Sequence, residues 1–388
     1  MSVKILYVVN NAAFFCSHRL PLALEARRRG HEVMLVTGEA GSARLEAPAI
    51  EQLRATGIPH LVTGFRSGSV SPLRELAGFM AVVRCMRRWR PDVVHCASPK
   101  GLLYGGVASR LSGCRALVLA VSGMGSLFTR SGGTLRSLLG WAYLRVVRLA
   151  YRHPNRCVIV QNGDDRAIII AAGFAEDAAI QLIPGSGVRL ERYLDLPLQG
   201  RQDLVVLPAR LLRDKGVEEF VAAARQIRAG GSPWRFALVG TADYDNPSAI
   251  SVARIESWVA EGVVEWWGHR DDMADVLGQA AIVCLPSYRE GMPKALLEAA
   301  AAGCAVVTTD TVGCRDAIEV GVTGDLVPIR DALALARTLQ ALIDAPERRL
   351  GYGVAGRQLA VRKFDLEQVV RATMDIYDRL LGARNAAR

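Results

Sequence analysis

Features typical of secreted and membrane-spanning proteins are scarce in this 388-residue sequence. Its eight cysteines form no C-x-x-C pair and mostly stand in apolar runs, which favours reduced core thiols over a zinc site or a disulfide framework. No uncharged apolar run reaches the roughly 18 residues that a membrane-spanning helix needs. The chain opens on a strand-like run, Val3–Asn10, rather than on a signal peptide. We therefore expect a cytoplasmic protein, with attachment to a membrane surface still open.

Acidic residues are few in the first half of the chain. Residues 1–190 carry 24 Lys and Arg but 11 Asp and Glu, whereas the second half carries 24 and 27. Residues 93–163 hold nine basic residues and no acid. The net charge of +10 therefore comes from the first half. Such a bias indicates an anionic partner, which charge alone leaves open among nucleic acid, a phospholipid surface and a phosphorylated substrate.

The sequence does have a repeated alternation of Val-, Ile- and Leu-rich runs with longer amphipathic segments. Runs without clean polar alternation are typical of parallel strands covered on both faces, so we predict two doubly wound α/β domains. The segment Pro184–Gly200, rich in Pro and Gly, is predicted to link them. The predicted boundaries are 1–190, 200–364 and, for a last amphipathic helix, 365–388.

Seven strands are predicted in the first half and six in the second. In chain order they are Val3–Asn10, Glu32–Gly38, His60–Thr63, Asp92–Ala97, Ala116–Ser122, Cys157–Gln161, Gln181–Pro184, Asp203–Pro208, Arg235–Val239, Val263–Trp267, Ala281–Pro286, Ala305–Thr309 and Asp325–Pro328. The predicted helices include Leu20–Gly30, Pro72–Arg90, Leu135–Arg152, Val217–Arg228, Pro293–Ala302 and Asp331–Asp344. Ligands bind outside the carboxyl ends of such strands, so the loops after strands are the candidate sites, and we expect a ligand between the domains.

One candidate loop follows the predicted strand Asp203–Pro208. It places Arg210, Arg213 and Lys215 at the carboxyl end of the strand, and Gly216 then opens a helix. Fixed cations beside a helix N-terminus are suited to binding a diphosphate. A solvated basic turn is the alternative that these residues alone leave open.

A sharper signal follows the predicted strand Ala281–Pro286. Pro293 suits the first helical position, the Ala-rich run after it favours a helix, and Gly303 ends that helix. Glu290 then lies in the loop beside the helix N-terminus, and Glu298 lies about five residues, or roughly 7.5 Å, into the helix. One carboxylate can face the reacting end of a ligand, while the other reaches a hydroxyl pair such as a ribose.

The same loop offers backbone amides. The N–H groups of Gly291 and Met292 stand just before the helix, where they can bind phosphate oxygens. The alternative is that Glu290 only complements the helix dipole and that Glu298 is a surface residue. That alternative fits Glu298 poorly, because it sits in the apolar run Ala295–Ala302.

Glu290 and Glu298, in the pattern Glu-Gly-x-Pro-x-x-x-Leu-Glu-Ala, resemble the signature of the retaining glycosyltransferases of family 4. Arg210, with Lys215 and Gly216, resembles the diphosphate-binding Arg and Lys of that family. Further similar segments are Val239–Gly240, Trp267–Gly268, Gly313 with Asp316–Ile318, and Gly321–Gly324. The resemblance thus extends in the same order through the second half of the chain.

In the first half, Asn11–Pro21 and the segment Pro184–Val188 are similar to the branch that acts on sugars linked to polyprenyl diphosphate. The resemblance implies a GT-B fold, in which two Rossmann-like domains face a cleft and the last helix crosses back to the first. It also implies retaining transfer of a sugar from a nucleotide diphosphate, most simply a UDP-sugar such as UDP-GalNAc or UDP-GlcNAc. The implied acceptor is a lipid-linked sugar in O-antigen, capsule or related glycan assembly.

The resemblance assigns the donor to the second domain and the acceptor to the first. Carried over by position, Arg210 and Lys215 hold the diphosphate. Glu298 holds the ribose hydroxyls, and Glu290 lies near the transferred sugar. The other implied donor contacts are Gly240, His269, Gly291, Met292 and Pro293. No metal cofactor is implied, because these cations and the helix N-termini offset the charge of the leaving group.

Candidate acceptor contacts follow predicted strands of the first domain. They are Asn11, His18, Arg19, Lys100, Ser122 and Gly123. Arg19, just before a helix start, and Lys100, at a strand end, are candidate phosphate contacts. A capping or surface role for Arg19 and a structural role for His18 and His95 are the alternatives. Ser122 stands where many family members have a cleft histidine, so the departing diphosphate is expected to take the acceptor proton.

Two helices of the first domain could contact a membrane. Arg145, Arg148, Arg152 and Arg156 are spaced to share one face of a helix over Leu135–Arg156. The predicted helix Pro72–Arg90 ends with four arginines around Trp89. Either helix could simply cover a sheet, but with the basic first half they indicate peripheral attachment to an anionic membrane at the inner face of the cell.

Three other functions are weighed against this interpretation. A UDP-sugar 2-epimerase would share the fold, and the Glu290–Glu298 pair argues against it. A nucleic-acid-binding protein is indicated by charge alone, since aromatics are 6% and no recognition module is present. An NAD-dependent enzyme would need Gly-x-Gly-x-x-Gly after the first strand, where Asn11–Phe14 stands instead.

Overall fold

The computed structural model of the protein describes residues 2–39, 43–66, 71–123, 145–242 and 246–382. The chain folds into two units, of which the first comprises Met1–Ile183 with Val369–Arg388 and the second comprises Pro184–Gln368. Each unit is built around one parallel sheet, which confirms the predicted fold class.

In the part of the chain that is described, the first unit has a seven-stranded sheet in the order β3-β2-β1-β4-β5-β6-β7. Its strands are β1 (Lys4–Val9), β2 (Glu32–Glu39), β3 (His60–Arg66), β4 (Val93–Ala97), β5 (Ala116–Ala120), β6 (Arg156–Val160) and β7 (Ile180–Leu182). Strands β4 and β5 are buried at every position, as expected for a sheet covered on both faces.

Helices cover both faces of this sheet because successive strand residues point to opposite sides. Ile5, Tyr7 and Val9 of β1 belong to the apolar core on one side, whereas Leu6 and Val8 belong to the core on the other. The helices are α1 (Ala12–His18), α2 (Leu20–Arg28), α3 (Ala43–Thr56), α4 (Pro72–Trp89), α5 (Pro99–Leu111) and α6 (Gly163–Ala171), and residues 145–151 are also helical.

The second unit has a six-stranded sheet, within the described residues, in the order β10-β9-β8-β11-β12-β13. The strands are β8 (Gln202–Pro208), β9 (Arg235–Val239), β10 (Glu265–Gly268), β11 (Ala280–Leu285), β12 (Ala305–Thr309) and β13 (Gly324–Val327). The helices are α7 (Val217–Ala229), α8 (Val252–Ala260), α9 (Met273–Gln279), α10 (Lys294–Ala302), α11 (Ala332–Ile343) and α12 (Pro346–Leu359). Gly303 ends α10 in the left-handed conformation, as its position in the sequence predicts.

The strand order reverses once in each sheet, between β1 and β4 in the first and between β8 and β11 in the second. Connections leave in opposite directions at such a point and open a crevice at the carboxyl ends of the two strands. The loops after β8 and β11 carry most of the predicted donor residues, and those after β1 and β4 carry predicted acceptor residues.

The last helix, α13 (Leu366–Gly382), contributes to the core of the first unit from Val369 onward. Its Tyr377 hydroxyl lies 2.7 Å from His95 Nδ1 of β4 and 3.3 Å from the Tyr7 hydroxyl of β1. Burial, with the Arg19 guanidinium nearby, lowers the pKa of His95 well below its ordinary value, so the ring is neutral. A neutral polar network therefore ties α13 to the middle of the sheet.

Removing the Tyr377 hydroxyl tests this network. Tyr377→Phe leaves a buried histidine nitrogen without its partner, so we expect a loss of about 1–3 kcal/mol in the free energy of unfolding. Urea denaturation followed by circular dichroism measures it. Tyr7→Phe removes a longer contact and should cost less, and a Tyr377→Phe protein as stable as the wild type would contradict the role given to this hydroxyl.

Two sequence predictions differ from the structure. Residues 184–200, predicted as a linker, instead pack as part of the second unit, where Val188 and Tyr193 are buried. The four arginines predicted to share a face of the helix over Leu135–Arg156 do not do so, because the helix ends at residue 151. Arg152 follows that end and Arg156 begins β6. Residues 135–144 of that predicted helix lie outside the described residues.

Candidate active site

Two loops of the second unit are joined at the switch point of its sheet. The main-chain oxygen of Asp214, in the turn after β8, accepts hydrogen bonds from Ser287 Oγ at 3.1 Å and from the Tyr288 amide at 2.8 Å. Both donors lie in the loop after β11. The short helical turn Arg213–Lys215 is therefore fixed against the loop that carries Glu290.

This arrangement brings Lys215 and Glu290 into direct contact. Lys215 Nζ lies 2.5 Å from Glu290 Oε1, and the Ser287 hydroxyl lies 2.8 Å from the same oxygen. The two charged side chains are 15% and 14% exposed, so their attraction is only partly screened by water. Both residues were candidates from the sequence, but Ser287, which is fully buried, was not.

Gly216 makes this close approach of the loops possible. Its backbone is left-handed, with φ of 71°, and a methyl group on it would overlap the main-chain oxygen of Pro286. Only glycine accepts both conditions without strain. Helix α7 starts at the next residue, which places the N-terminus of a second helix beside Lys215.

A third loop, after β12, closes over Glu290. The Glu290 amide donates to the main-chain oxygen of Val312 at 3.2 Å. Gly313 is also left-handed, and a methyl group there would overlap the main-chain oxygen of Gly291. The buried Cys314 lies next in the chain, and burial together with the Glu290 carboxylate raises the pKa of its thiol to about 12. That thiol is neutral at physiological pH and does not compete as a nucleophile or base.

Helix α10 begins at Lys294, so Pro293 is its N-cap rather than its first helical residue as predicted. In the part of the chain that the structure describes, no side chain caps this end of the helix. Uncapped first-turn amides carry the positive end of the helix dipole, which suits an anionic ligand group. Gly291 and Met292, the predicted phosphate contacts, lie in the turn directly before this helix end and are half-buried.

Glu298 is the fifth residue of α10 and is largely buried. Its Oε1 lies 3.5 Å from Lys294 Nζ. Burial, assisted by the Glu298 carboxylate, raises the pKa of the Tyr193 phenol. Tyr193 lies in the segment predicted as a linker, so its place beside Glu298 could not be inferred from the sequence.

The other predicted donor residues lie after β8, β9 and β10. Arg210 is exposed in the turn after β8, where the main chain of Gly240 lies directly against Ala209. The Trp266 indole donates to the Gly240 oxygen at 2.9 Å and fixes this approach. His269 is exposed and lies 3.2 Å from Asp271, so the structure places it in a surface pair rather than against Lys215 or Glu290.

In the first unit, the loop after β1 is already supplied with hydrogen-bond acceptors. Asn11 caps α1 by accepting from the Phe14 amide at 2.8 Å. The buried Glu46 of α3 accepts from the amides of Ala12 at 2.7 Å and Ala13 at 3.2 Å. A phosphate at this helix end would have to displace a carboxylate. Glu46 was not a candidate from the sequence, since it is 34 residues away from Ala12.

His18 and Arg19 follow at the end of α1. The His18 ring stacks on Phe14 with centroids 4.6 Å apart, and its Nδ1 lies 3.3 Å from the Phe14 oxygen. Arg19 is 7% exposed, which excludes the surface role that the sequence left open. Its Nη1 donates to the His18 oxygen, and its buried Nε has no hydrogen-bond partner among the described residues.

Lys100 follows β4 and is engaged by an acid. Its Nζ lies 2.8 Å from Glu75 Oε1 and donates to the Arg66 oxygen at 2.6 Å. Although burial opposes it, hydrogen bonds from Lys100 and Tyr104 lower the pKa of Glu75, so the carboxylate is charged at neutral pH. A phosphate would therefore have to compete with Glu75 for this ammonium group.

Ser122 and Gly123 stand at the carboxyl end of β5, next to β4 in the sheet. Both are half-buried, and Gly123 has φ of 111°, which favours glycine. The strand order places them near Lys100 in the same row of strand ends. The chain from residue 124 to residue 144 lies outside the described residues.

Within the described ranges, no group of three or more His, Cys, Asp and Glu side chains is arranged to hold a metal ion. The sequence contains one Asp-x-Asp pair, Asp243 and Asp245, which lies outside these ranges. All eight cysteines are free. None of the described helices combines the length and the apolar character that crossing a membrane requires.

Two family models match the chain. Residues 18–186 match the model described as glycosyl transferase 4-like domain, and residues 202–345 match the model described as glycosyl transferases group 1. The matches fall one on each unit, and the second includes both loops that hold Lys215 and Glu290.

Two curated relatives span most or all of the chain. N,N'-diacetylbacillosaminyl-diphospho-undecaprenol alpha-1,3-N-acetylgalactosaminyltransferase of Campylobacter jejuni is 24% identical over 392 residues, covering 98% of this chain and 99% of that protein. UDP-Gal:alpha-D-GlcNAc-diphosphoundecaprenol alpha-1,3-galactosyltransferase of Escherichia coli is 22% identical over 307 residues, covering 76% of each.

Solved structures with a similar fold include HepE of Anabaena in complex with UDP, with a TM-score of 0.76 at 20% identity, covering 97% of this chain and 100% of that one. Sucrose-phosphate synthase of Thermosynechococcus elongatus has a TM-score of 0.75 at 19% identity, covering 98% and 100%. The likeness shows a common fold of two Rossmann-like units, which is the GT-B fold that the sequence predicts.

Proposed function

Because the two halves of the chain match the glycosyl transferase 4-like and group 1 models, the chain belongs to this glycosyltransferase family, and we propose that it is a retaining enzyme that uses a UDP-sugar. The observation that carries the proposal is the Lys215–Glu290 pair at the switch point of the second sheet. It combines a cation for a diphosphate with a carboxylate for an adjoining sugar.

In the proposed reaction the bond between the sugar C1 and the diphosphate oxygen breaks. The acceptor hydroxyl bonds to C1 on the same face, and its proton passes to the departing diphosphate. Lys215, Arg210 and the uncapped end of α10 stabilise the negative charge that develops on the diphosphate. Glu290, beside Lys215, lies next to the sugar and stabilises positive charge on it.

We propose that the reaction needs no metal ion. Support comes from the cations in the donor loops, because Lys215 and two helix N-termini supply the positive charge that a divalent ion would otherwise provide. Calorimetric titration of UDP in the presence of EDTA tests this directly. We expect the dissociation constant to be the same with and without EDTA, and a loss of binding in EDTA would overturn the proposal.

For the acceptor we propose a sugar on polyprenyl diphosphate, used in O-antigen, capsule or related surface glycans at the inner face of the membrane. The support is the activity of the two relatives named above, both of which act on undecaprenyl-diphosphate-linked sugars. The excess of basic residues in the first unit agrees with an anionic lipid-linked substrate.

The first experiment is a titration of the purified protein with UDP, GDP and NAD. UDP binding supports the proposed donor. Binding of GDP alone would still indicate a glycosyltransferase, but one whose donor is a GDP-sugar. UDP-GalNAc and UDP-GlcNAc are then tested with a polyprenyl-diphosphate-linked sugar, and the anomeric configuration of the product is read by NMR. An inverted product would overturn the retaining mechanism.

Replacing Glu298 tests the ribose site. Glu298→Gln should weaken UDP binding about 10-fold, because hydrogen bonds to a charged carboxylate are worth about 1.5–3 kcal/mol. The variant should also lose the preference for UDP over 2′-deoxy-UDP that the wild type shows in calorimetry. Glu256→Gln, an exposed position on α8, is the control. An unchanged UDP dissociation constant for Glu298→Gln would remove the residue from the site.

A further inference from the structure

Helix α4 of the first unit presents apolar side chains to solvent. Leu73, Leu76 and Met80 are 82%, 58% and 38% exposed. Their spacing of three and four residues puts them on one face of the helix. The opposite face, with Val82, Val83 and Met86, is buried against the sheet. Helix α4 therefore has a second apolar face, which is exposed and does not pack into the core.

The same outward face becomes basic toward the end of the helix. Arg84, Arg87 and Arg88 are exposed, and at 3.6 residues per turn they continue the row of Leu73, Leu76 and Met80. The single acid of α4, Glu75, points to the other side, where it pairs with Lys100. One 18-residue helix thus carries an apolar first half and a cationic second half along one side.

Little negative charge is available nearby in the sequence to balance these arginines. Between residues 76 and 163 there are thirteen Lys and Arg and a single acid, Asp92. Asp92 is engaged by Arg115 at 3.1 Å and by the Lys4 amide at 2.9 Å. Of the three arginines, Arg87 donates to the main-chain oxygen of Leu111 at 3.3 Å, and this neutral acceptor leaves its positive charge in place.

A second helix of the same layer repeats the pattern. Val147 and Ala150, in the helical residues 145–151, pack into the same core as the buried face of α4. On their outer side Val146 and Leu149 are each 42% exposed, between the exposed Arg145 and Arg148. The outer surface of this layer combines apolar and guanidinium groups on two helices.

We propose that the outward side of α4 and of residues 145–151, called here the docking face, binds an anionic phospholipid membrane. Exposed leucines and methionine can insert between lipid head groups, while the arginines pair with lipid phosphates. A nucleic acid offers phosphates but nothing that would bury Leu73 and Leu76. The inference rests on the proposed function in one respect: an acceptor anchored in the membrane explains why the enzyme binds there.

Co-sedimentation with vesicles tests the docking face. The wild type should bind vesicles of phosphatidylcholine mixed with phosphatidylglycerol, and high salt should weaken this binding. Arg84→Ser/Arg87→Ser/Arg88→Ser should reduce binding about 100-fold, since each basic residue near an anionic surface contributes a factor of about five. Leu73→Ser/Leu76→Ser/Met80→Ser should reduce it at least about 10-fold at both low and high salt.

Matched controls come from exposed residues of the second unit. They are Leu333→Ser/Val354→Ser/Val361→Ser for the apolar set and Arg225→Ser/Arg254→Ser/Arg337→Ser for the basic set. Both controls should bind vesicles as the wild type does. The proposal would be overturned if the docking-face variants bound vesicles as well as these controls do, or if the wild type did not bind anionic vesicles. It would also be overturned if the wild type bound RNA and only the arginine variant lost that binding.

The vesicle experiment tests the docking face independently of the proposed function, because vesicle binding is measured without a sugar substrate. UDP calorimetry on the same variants reports on the donor site, which lies in the other unit, and should give wild-type dissociation constants. Loss of vesicle binding with intact UDP binding supports the docking face. Intact vesicle binding without UDP binding would instead contradict the proposed function.

Discussion

Lys215→Met should lower the turnover number about 100-fold or more, in line with the loss of a positioned group that stabilises a departing anion. UDP binding should weaken about 10-fold. The reason is geometric: Gly216 and the Asp214 contacts hold the Lys215 backbone against the loop after β11, which places its ammonium group beside Glu290.

The control for this substitution is Lys363→Met, which removes an exposed lysine paired with Glu319 at 3.9 Å. It should retain wild-type turnover and UDP affinity. Turnover is measured by UDP release from the donor in the presence of the lipid-linked acceptor. A Lys215→Met enzyme with near-wild-type kinetics would show that the diphosphate is held elsewhere in the second unit.

The fold was largely predictable because parallel strands are covered on both faces. Such strands are continuous apolar runs ended by polar or glycine residues, so β9 and β12 were predicted at the bounds that the structure has. The exceptions depend on tertiary contacts. Residues 184–200 contain turn-forming Gly and Pro, yet the buried Val188 pairs with Asp365, far along the chain.

The candidate donor residues could be picked out of the sequence one by one, but their arrangement could not. Lys215 and Glu290 each follow a strand, which marks them as candidates, whereas their ion pair joins positions 75 residues apart. Ser287 and Tyr193 gave no signal because serine and tyrosine are common in turns and cores. Arg19 shows the reverse case, since a charged residue predicted to meet phosphate lies buried beside Tyr7 and Tyr377.

The contact between Lys215 and Glu290 has a further consequence for donor binding. A diphosphate that uses Lys215 must take the place of the Glu290 carboxylate, so the pair competes with the ligand. The exchange is worth on the order of 1 kcal/mol for a partly exposed pair, which corresponds to about fivefold in affinity. Glu290→Gln should therefore bind UDP about fivefold more tightly, while its turnover falls about 100-fold because the sugar loses its carboxylate.

A double-mutant cycle separates this competition from a general change in the loop. The gain in UDP affinity from Glu290→Gln should disappear in a Lys215→Met background, because no ammonium group is left to be released. Calorimetry on the four proteins measures it, and UDP should raise the melting temperature of Glu290→Gln more than that of the wild type. If Glu290→Gln binds UDP more weakly, the carboxylate contacts the donor directly and does not compete with it. If the gain persists without Lys215, it originates in the loop backbone that Gly313 and Val312 hold.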